Sequence, residues 1–330
     1  MKAWVYREYG PPENLAFEEI ETPRPGPDEI AIRVRASSLN AADWHIMLAD
    51  PFLARLAVGL RRPRQQMIIG SDVAGVVDAV GDHVTGFSAG DQVYAETMMR
   101  GGCAEVITVS AGQVGYMPKG LSFEEAAAVP MAGVTALAGV RAGGEIEPGQ
   151  SVLINGASGG VGTFAVQIAR ALGGSVTAVC RTEAVDLVRS LGAAEVIDYT
   201  TTEAVDTGRK YDLIVNIGGT HSLRALRRTL SQNGTLAAVG GSQHGGLFGP
   251  GTVAIRGSLL SPFVSQRLVK VDGKVSTADL ATLADMIESG DVKPVIDRVF
   301  DLSETPDALR YLIDGHPKGK VVVTVAAGEQ

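Results

Sequence analysis

Residues 151–172 read SVLINGASGGVGTFAVQIARAL, and no other stretch restricts the possible folds as much. SVLIN is a short apolar run of strand length. The segment 161–172 has helical spacing, with Val161, Ala165, Ile168, Ala169 and Leu172 on one face. Between them lies Ala157-x-Gly159-x-x-Gly162. In a strand–turn–helix of this spacing the first small residue permits the sharp turn. Gly159 lets a diphosphate approach the backbone, and Gly162 lets the helix lie close on the strand. The unpaired N–H groups of the first helical turn then face the anion. The whole bend (Ala157, Ser158, Gly159, Gly160, Val161 and Gly162) is therefore the predicted dinucleotide cradle.

The surroundings make the motif more specific. From Leu121 onward, strands and helices alternate: SVTAVC, EAVDLVRSLG, EVIDY, DLIVNIG, SLRALRRTL and GTLAAVG, with TVAIRGSLL expected as the last strand. Strands this uniformly apolar belong in a sheet covered on both faces, a doubly wound parallel sheet. A capping box, SFEE at 122–125, opens this half, and Pro130 breaks the helix that follows. The first third is different. EIAIRVRASSLN places Ile30, Ile32, Val34 and Ala36 on alternate positions, a half-buried strand, and further short strands follow without helix-length spacers. That pattern predicts an antiparallel, barrel-like domain. The last 70 or so residues carry two helical runs and a closing strand, KGKVVVTV.

Charge and composition exclude several functions. The chain has 330 residues and a formal net charge of -8, and RRPR at 61–64 is its densest basic run, so a nucleic-acid or anionic-membrane role is not expected. The opening MKAWVYREYG lacks an apolar signal core, and no run is long enough to cross a bilayer. Two isolated cysteines, Cys103 and Cys180, fit a reducing cytoplasm better than a disulfide scaffold. The five histidines are scattered without ligand-like spacing, and no metal is expected.

The end of the second strand of the β/α series reads AVCRTEA. A site preferring NAD usually carries an acid there for the ribose 2′-hydroxyl. Here Arg181 and Thr182 follow Cys180 directly, and a guanidinium can hold a 2′-phosphate with two parallel hydrogen bonds. The expected cofactor is NADPH. Tyr199 is placed near the adenine or the 2′-phosphate. Gly218, Gly219, Gly240 and Gly241 are placed at the carboxyl ends of the next strands, where ligands of open α/β sheets bind, and Phe263 along the cleft.

Taken with YREYGPPENL, SLNAADW at 38–44, GSDVAGVVDAVG at 70–81, GDQVYAE, VPMAGVTA and the closing GKVVVTV, these residues resemble the medium-chain dehydrogenase/reductase superfamily. The resemblance is strongest to its zinc-independent quinone oxidoreductase branch, related to zeta-crystallin. It implies a GroES-like catalytic domain built from both chain ends (1–121 and 263–330), with a Rossmann domain at 122–262 inserted between them. It also implies a homodimer. The zinc-bearing branch has a cysteine where this chain has Asn40, a Gly-His-Glu where it has Gly70-Ser71-Asp72, and a third ligand in the segment matching VPMAGVTA, which here holds neither Cys nor His.

Without a Lewis acid a simple alkoxide lacks its main stabiliser, whereas a quinone or enone spreads incoming charge over its own π-system. The expected reaction is therefore hydride transfer from NADPH to a conjugated carbonyl compound. The resemblance sets Asn40 and Asp43 beside the nicotinamide, as substrate contacts or as residues that merely fix a turn. His45 is a candidate proton donor, and Thr135 a contact of the nicotinamide amide. A zinc-free ketone or enoyl-thioester reductase, or a nucleotide-binding protein with little catalysis, remain alternatives.

Overall fold

The computed structural model describes residues 1–50, 55, 58–98, 100–219, 221–239 and 264–326. The chain divides into two compact units. One comprises Met1–Ala132, Val275–Ser289 and Pro294–Gln330; the other comprises Gly133–Lys274 and Gly290–Lys293.

The first unit is built on two sheets. Strands β1 (Lys2–Tyr6), β2 (Ala16–Glu19) and β4 (Met67–Ile68) form a small one, in the order β2-β1-β4. The larger sheet uses β3 (Glu29–Leu39), β5 (Asp72–Val80), β6 (Gln92–Glu96), β7 (Val106–Ser110), β8 (Val114–Tyr116), β15 (Ile296–Asp301) and β16 (Lys320–Thr324). Its order is β15-β16-β3-β5-β6-β8, with β7 on β3, so the closing strand of the chain pairs antiparallel with β3. Strand β3 is buried along nearly all its length and not on one face only: Ala31, Ser37 and Ser38 are as covered as Ile30 and Ile32. Having three strand neighbours, it lies inside the unit and not at an edge. Helix α1 (Ala41–Leu48) follows β3 at once; α2 (Phe123–Ala127) starts at the Ser122–Glu125 capping box. Helix α3 (Pro130–Arg141) starts at Pro130, a residue suited to the first turn because it has no N–H to leave unpaired.

The second unit carries the predicted parallel sheet. Its strands are β9 (Ser151–Asn155), β10 (Ser175–Cys180), β11 (Glu195–Asp198), β12 (Tyr211–Asn216), β13 (Leu230–Ala238) and β14 (Arg267–Lys270), in the order β11-β10-β9-β12-β13-β14. This is the doubly wound arrangement, reversing direction between β9 and β12. Helices α4 (Gly160–Ala171), α5 (Val185–Ser190) and α6 (Leu223–Thr229) alternate with the strands. Among the described residues the strand beyond β13 is Arg267–Lys270, and the expected TVAIRGSLL lies outside them. One sequence reading changes. Leu172, the C-cap of α4, is 40 % exposed, while Phe164 and Val166, outside the expected stripe, are fully buried. The helix is covered around most of its circumference, so its inward face is wider than a single row. Helices α7 (Thr277–Glu288) and α8 (Thr305–Asp314), in segments returning to the first unit, form where their spacing predicts; Gly290, with φ of 83°, follows α7. Among the described residues no helix is long and apolar enough to cross a membrane.

Candidate functional site

The glycine bend of the second unit can be judged by what a side chain would meet there. A Cβ on Gly162 would lie 2.1 Å from the Gly156 carbonyl oxygen and 2.6 Å from the Ala157 carbonyl carbon. Both are backbone atoms, so α4 starts in contact with the turn below it, and only glycine fits. A Cβ on Gly159 would find no neighbour nearer than 3.8 Å. Gly159 therefore leaves open space, as expected where a ligand approaches the backbone. It is also the N-cap of α4 and offers no side chain to the first turn. Thr163 N donates to Gly159 O, the first bond of the helix, and the N–H groups before it are the orphan donors of a helix start. Together, a clear approach and unpaired donors fit the diphosphate of a dinucleotide.

The strand ends beside this bend carry other predicted residues. Asn155 Nδ2 donates to Gly218 O at 2.6 Å, and Gly218 N lies 3.0 Å from where a Cβ of Gly156 would stand. At the end of β10, Arg181 is exposed and, among the described residues, has no carboxylate partner. Tyr199 N donates to Cys180 O, which sets the backbone of the exposed Tyr199 beside that strand end. Thr182 is engaged: its hydroxyl donates to Asp198 Oδ2 at 2.6 Å and lies 2.9 Å from Thr200 Oγ1. The sequence reading missed Asp198, an acid at the end of β11 whose carboxyl is held below its usual range by hydrogen bonds from Thr182 and Thr200. Thr135 is half-buried on α3 against Gly273. Gly240, Gly241 and Phe263 lie outside the described residues.

The first unit holds a second constellation. Asn40 is the N-cap of α1, and Asp43 sits three residues on. Asp43 Oδ2 accepts from Asn40 N (2.7 Å); its Oδ1 accepts from Ser71 Oγ (2.7 Å) and Gly70 N (3.1 Å). The carboxylate thus ties the start of α1 to the loop before β5. Burial pushes its pKa up to about 6, against the pull of those donors. His45 points elsewhere: Nδ1 lies 2.8 Å from the Asp50 carbonyl, and the ring stacks on Trp44 with centroids 3.7 Å apart.

Two residues that the sequence reading did not single out as site residues complete the cluster. Asp72, the first residue of β5, is fully buried, and so is Lys320, the first residue of β16, with 2 % exposure. Asp72 Oδ1 accepts from Met131 N (2.9 Å), satisfying one orphan donor of the first turn of α3. Asp72 Oδ2 accepts from Asn40 Nδ2 (2.8 Å) and Ser38 Oγ (3.1 Å), and Lys320 Nζ stands 3.4 Å away. Lys320 Nζ also donates to Asn40 Oδ1 (2.5 Å) and Leu39 O (3.3 Å). Burial raises the Asp72 pKa and lowers that of Lys320, and the attraction between the two opposes both shifts. Glu96 is directly opposite Asp72 on β6, accepting from Met98 N and Gln113 Nε2. Burial first, then repulsion from Asp72, pushes it up to about 7.

The donor set does not suit a metal. Both oxygens of Asp72 face protons, the Asn40 carbonyl faces an ammonium, and among the described residues no group of three or more His, Cys, Asp or Glu could hold an ion. Cys103 is fully buried, its thiol pushed up to about 12, chiefly by burial.

Comparison with known proteins settles the family. The Alcohol dehydrogenase GroES-like domain matches residues 26–139, and the Zinc-binding dehydrogenase family matches 191–323. A chloroplast envelope quinone oxidoreductase homolog of Arabidopsis thaliana is 33% identical, with 98% of each chain covered. The chain belongs to the medium-chain dehydrogenase/reductase superfamily, in its quinone oxidoreductase branch. An NADPH-dependent alkenal/one oxidoreductase of Arabidopsis thaliana chloroplasts is also 33% identical, over 98% of this chain and 79% of its own. The solved quinone oxidoreductase of Coxiella burnetii superposes with a TM-score of 0.86 at 26% identity, covering 99% of both chains. This superfamily member is an oxidoreductase of the kind that uses NAD(P)H.

Proposed function

We propose that this chain is a zinc-free, NADPH-dependent reductase of quinones or α,β-unsaturated carbonyl compounds. The observation that carries the reading is the bend at 157–162: Gly162 has no room for a Cβ, Gly159 stands open, and an exposed arginine with no carboxylate partner among the described residues follows the neighbouring strand. Arg181 is read as the partner of the 2′-phosphate, since a guanidinium binds phosphate oxygens in pairs. Bound NADPH would supply the hydride. The chain's own part is to hold the diphosphate on the orphan N–H groups of α4 and to present a hydrogen-bond donor to the substrate oxygen.

Asn40 is read as that donor. A quinone or enone gathers charge on its oxygen as the hydride arrives, and one well-placed N–H stabilises it. Asp43 is read as the residue that holds the Asn40 loop in place. The absence of zinc from the reading rests on the donor set: the cysteine and histidine positions of the zinc branch are Asn40 and Ser71, and both already hydrogen-bond within the protein. The proton that completes enone reduction comes from water. The relatives named as quinone and alkenal/one oxidoreductases support the substrate class. The protein is further read as a cytoplasmic homodimer that binds neither nucleic acid nor membrane.

The test is nicotinamide oxidation by protein stripped with a chelator, across naphthoquinones, enones, aldehydes and crotonyl thioester, with NADPH and with NADH. Turnover of quinones or enones with preference for NADPH is expected. Turnover confined to aldehydes or alcohols and lost on chelation, or NADPH binding with no acceptor reduced, would overturn the reading.

A further inference from the structure

Three strands bring together side chains far apart in sequence. Val321 of β16 pairs with Leu39 of β3, and Asp72 of β5 pairs with Ser38, so Lys320, Asn40 and Asp72 lie side by side at one end of adjacent strands. The hydrogen bonds follow that order. The ammonium donates to Asn40 Oδ1, and Asn40 Nδ2 donates to Asp72 Oδ2. A lysine can only donate, and an ionised carboxylate can only accept. The carboxamide between them has one permitted orientation, because turning it over would set NH2 against NH3⁺ and C=O against a carboxylate. All of this is buried: Asn40 is 9 % exposed, Lys320 2 % and Asp72 0 %.

We propose that Lys320 is a positioning residue for substrate recognition: with Asp72 it locks the Asn40 carboxamide so that the second Nδ2–H is the group left to meet substrate. That N–H is the one donor of the amide with no protein partner among the described residues. The polarity of the site follows. It offers a proton to an oxygen that accepts, such as a quinone or enone carbonyl. The acceptor of that amide, Oδ1, is turned toward the ammonium instead. The ammonium on Oδ1 also draws electron density from the amide and strengthens its N–H as a donor. Asn40 thus acts on the substrate, and Lys320 acts only through Asn40. This inference rests on the proposed reductase activity for its kinetic consequence, but the lock itself does not.

Two measurements on the full chain test it. Removing Lys320 alone strands the buried Asp72 charge, so the informative variant is Lys320→Met with Asp72→Asn, which removes both charges together. The first measurement is hydrogen exchange of the Asn40 Nδ2 protons by NMR. One slowly exchanging, well-separated proton is expected in the unaltered protein, and loss of that protection in the double variant. A protected Asn40 proton that persists in the double variant would overturn the lock.

The second is a kinetic cycle with Asn40→Ala. Asn40→Ala is expected to lower kcat for enone reduction roughly 100-fold, the usual loss for one oxyanion donor. The double variant should lower it about 10-fold with NADPH affinity unchanged, and should add nothing in the Asn40→Ala background. Lys320→Arg should recover part of the rate. Additive losses, or an undiminished kcat in the double variant, would sink the positioning role. An unaltered protein that shows the protected proton but reduces no acceptor would instead sink the proposed function and leave the lock standing.

Discussion

The bend at 157–162 and the cluster around Asn40 are built on opposite principles. The bend works by leaving side chains out. Its selectivity lies in backbone donors and in two glycines, one that cannot carry a Cβ and one that leaves space open. The cluster works by crowding charge in, with three buried acids and one buried lysine, the lysine 3.4 Å from Asp72 and Glu96 paired with Asp72 across the sheet. The first is a local device made by consecutive residues. The second depends on the register of β16, β3, β5 and β6, and exists only once the sheet has formed. Substitution at Gly159 should therefore show mainly in nucleotide binding, and removal of a single buried charge from the cluster mainly in stability.

The largest effect belongs to the cluster. Lys320→Met leaves Asp72 buried without its counter-charge, and a broken buried pair costs about 3–5 kcal/mol. Urea unfolding should show that loss, and adding Asp72→Asn should restore most of it. A stable single variant would mean that Asp72 is neutral or solvated, and would remove the contrast between the regions.

Next comes a pair of substitutions inside the bend. Gly162→Ala forces a Cβ onto the Gly156 carbonyl, and such overpacking costs about 1–3 kcal/mol. Gly159→Ala meets no protein atom closer than 3.8 Å, so thermal melting should be unchanged while nucleotide affinity falls. Equal effects of the two on melting would show that Gly159 is structural and not an approach to ligand.

Arg181→Ala sharpens the same region. A hydrogen-bonded charge is worth about 1.5–3 kcal/mol, so NADPH should bind roughly 10- to 100-fold more weakly, with NADH unaffected. Parallel loss for both nucleotides in calorimetry would remove the 2′-phosphate from the account and turn attention to Asp198.

The smallest effect is that of pH on the cluster. Burial holds Asp43 at about 6 and Glu96 at about 7, above the values such acids have in the unfolded chain. The folded state then binds more protons than the unfolded one across that window. Stability from these groups is complete below about pH 4 and declines as pH rises to about 7. Between about pH 5 and about pH 8, full linkage would make Glu96 account for a loss of about 2.5 kcal/mol, which screening by solvent at this acid reduces to about 1–2 kcal/mol. Glu96→Gln should flatten that slope in urea titrations, and an unchanged slope would show that Glu96 is ionised throughout.

What could be read from the sequence follows the same division. Ala157, Gly159 and Gly162 are visible because their spacing is the function, and the neighbouring strand and helix confirm it within 22 residues. The β/α alternation was visible for the same reason, since each strand announces its own burial. Lys320 was not. It stands at the start of an apolar closing strand, where a lysine reads as a surface residue at a strand end, and its partners lie 280 and 248 positions away. The one available signal was an acid, Asp72, opening a strand whose next five residues are apolar. Strand β3 was underestimated because its serines look solvent-facing, yet Ser37 and Ser38 hydrogen-bond to Asp72 and are fully covered. The same reasoning misread Leu172, whose helical spacing continues past the point where α4 stops being covered.

The most direct test of the central claim is calorimetric titration of the protein and of Gly159→Ala with NADPH and with NADH. The account predicts heat from the unaltered protein with both nucleotides, stronger affinity for NADPH, and a marked loss in the variant without a change in melting temperature. No heat from either nucleotide, or binding that Gly159→Ala leaves untouched, would contradict it.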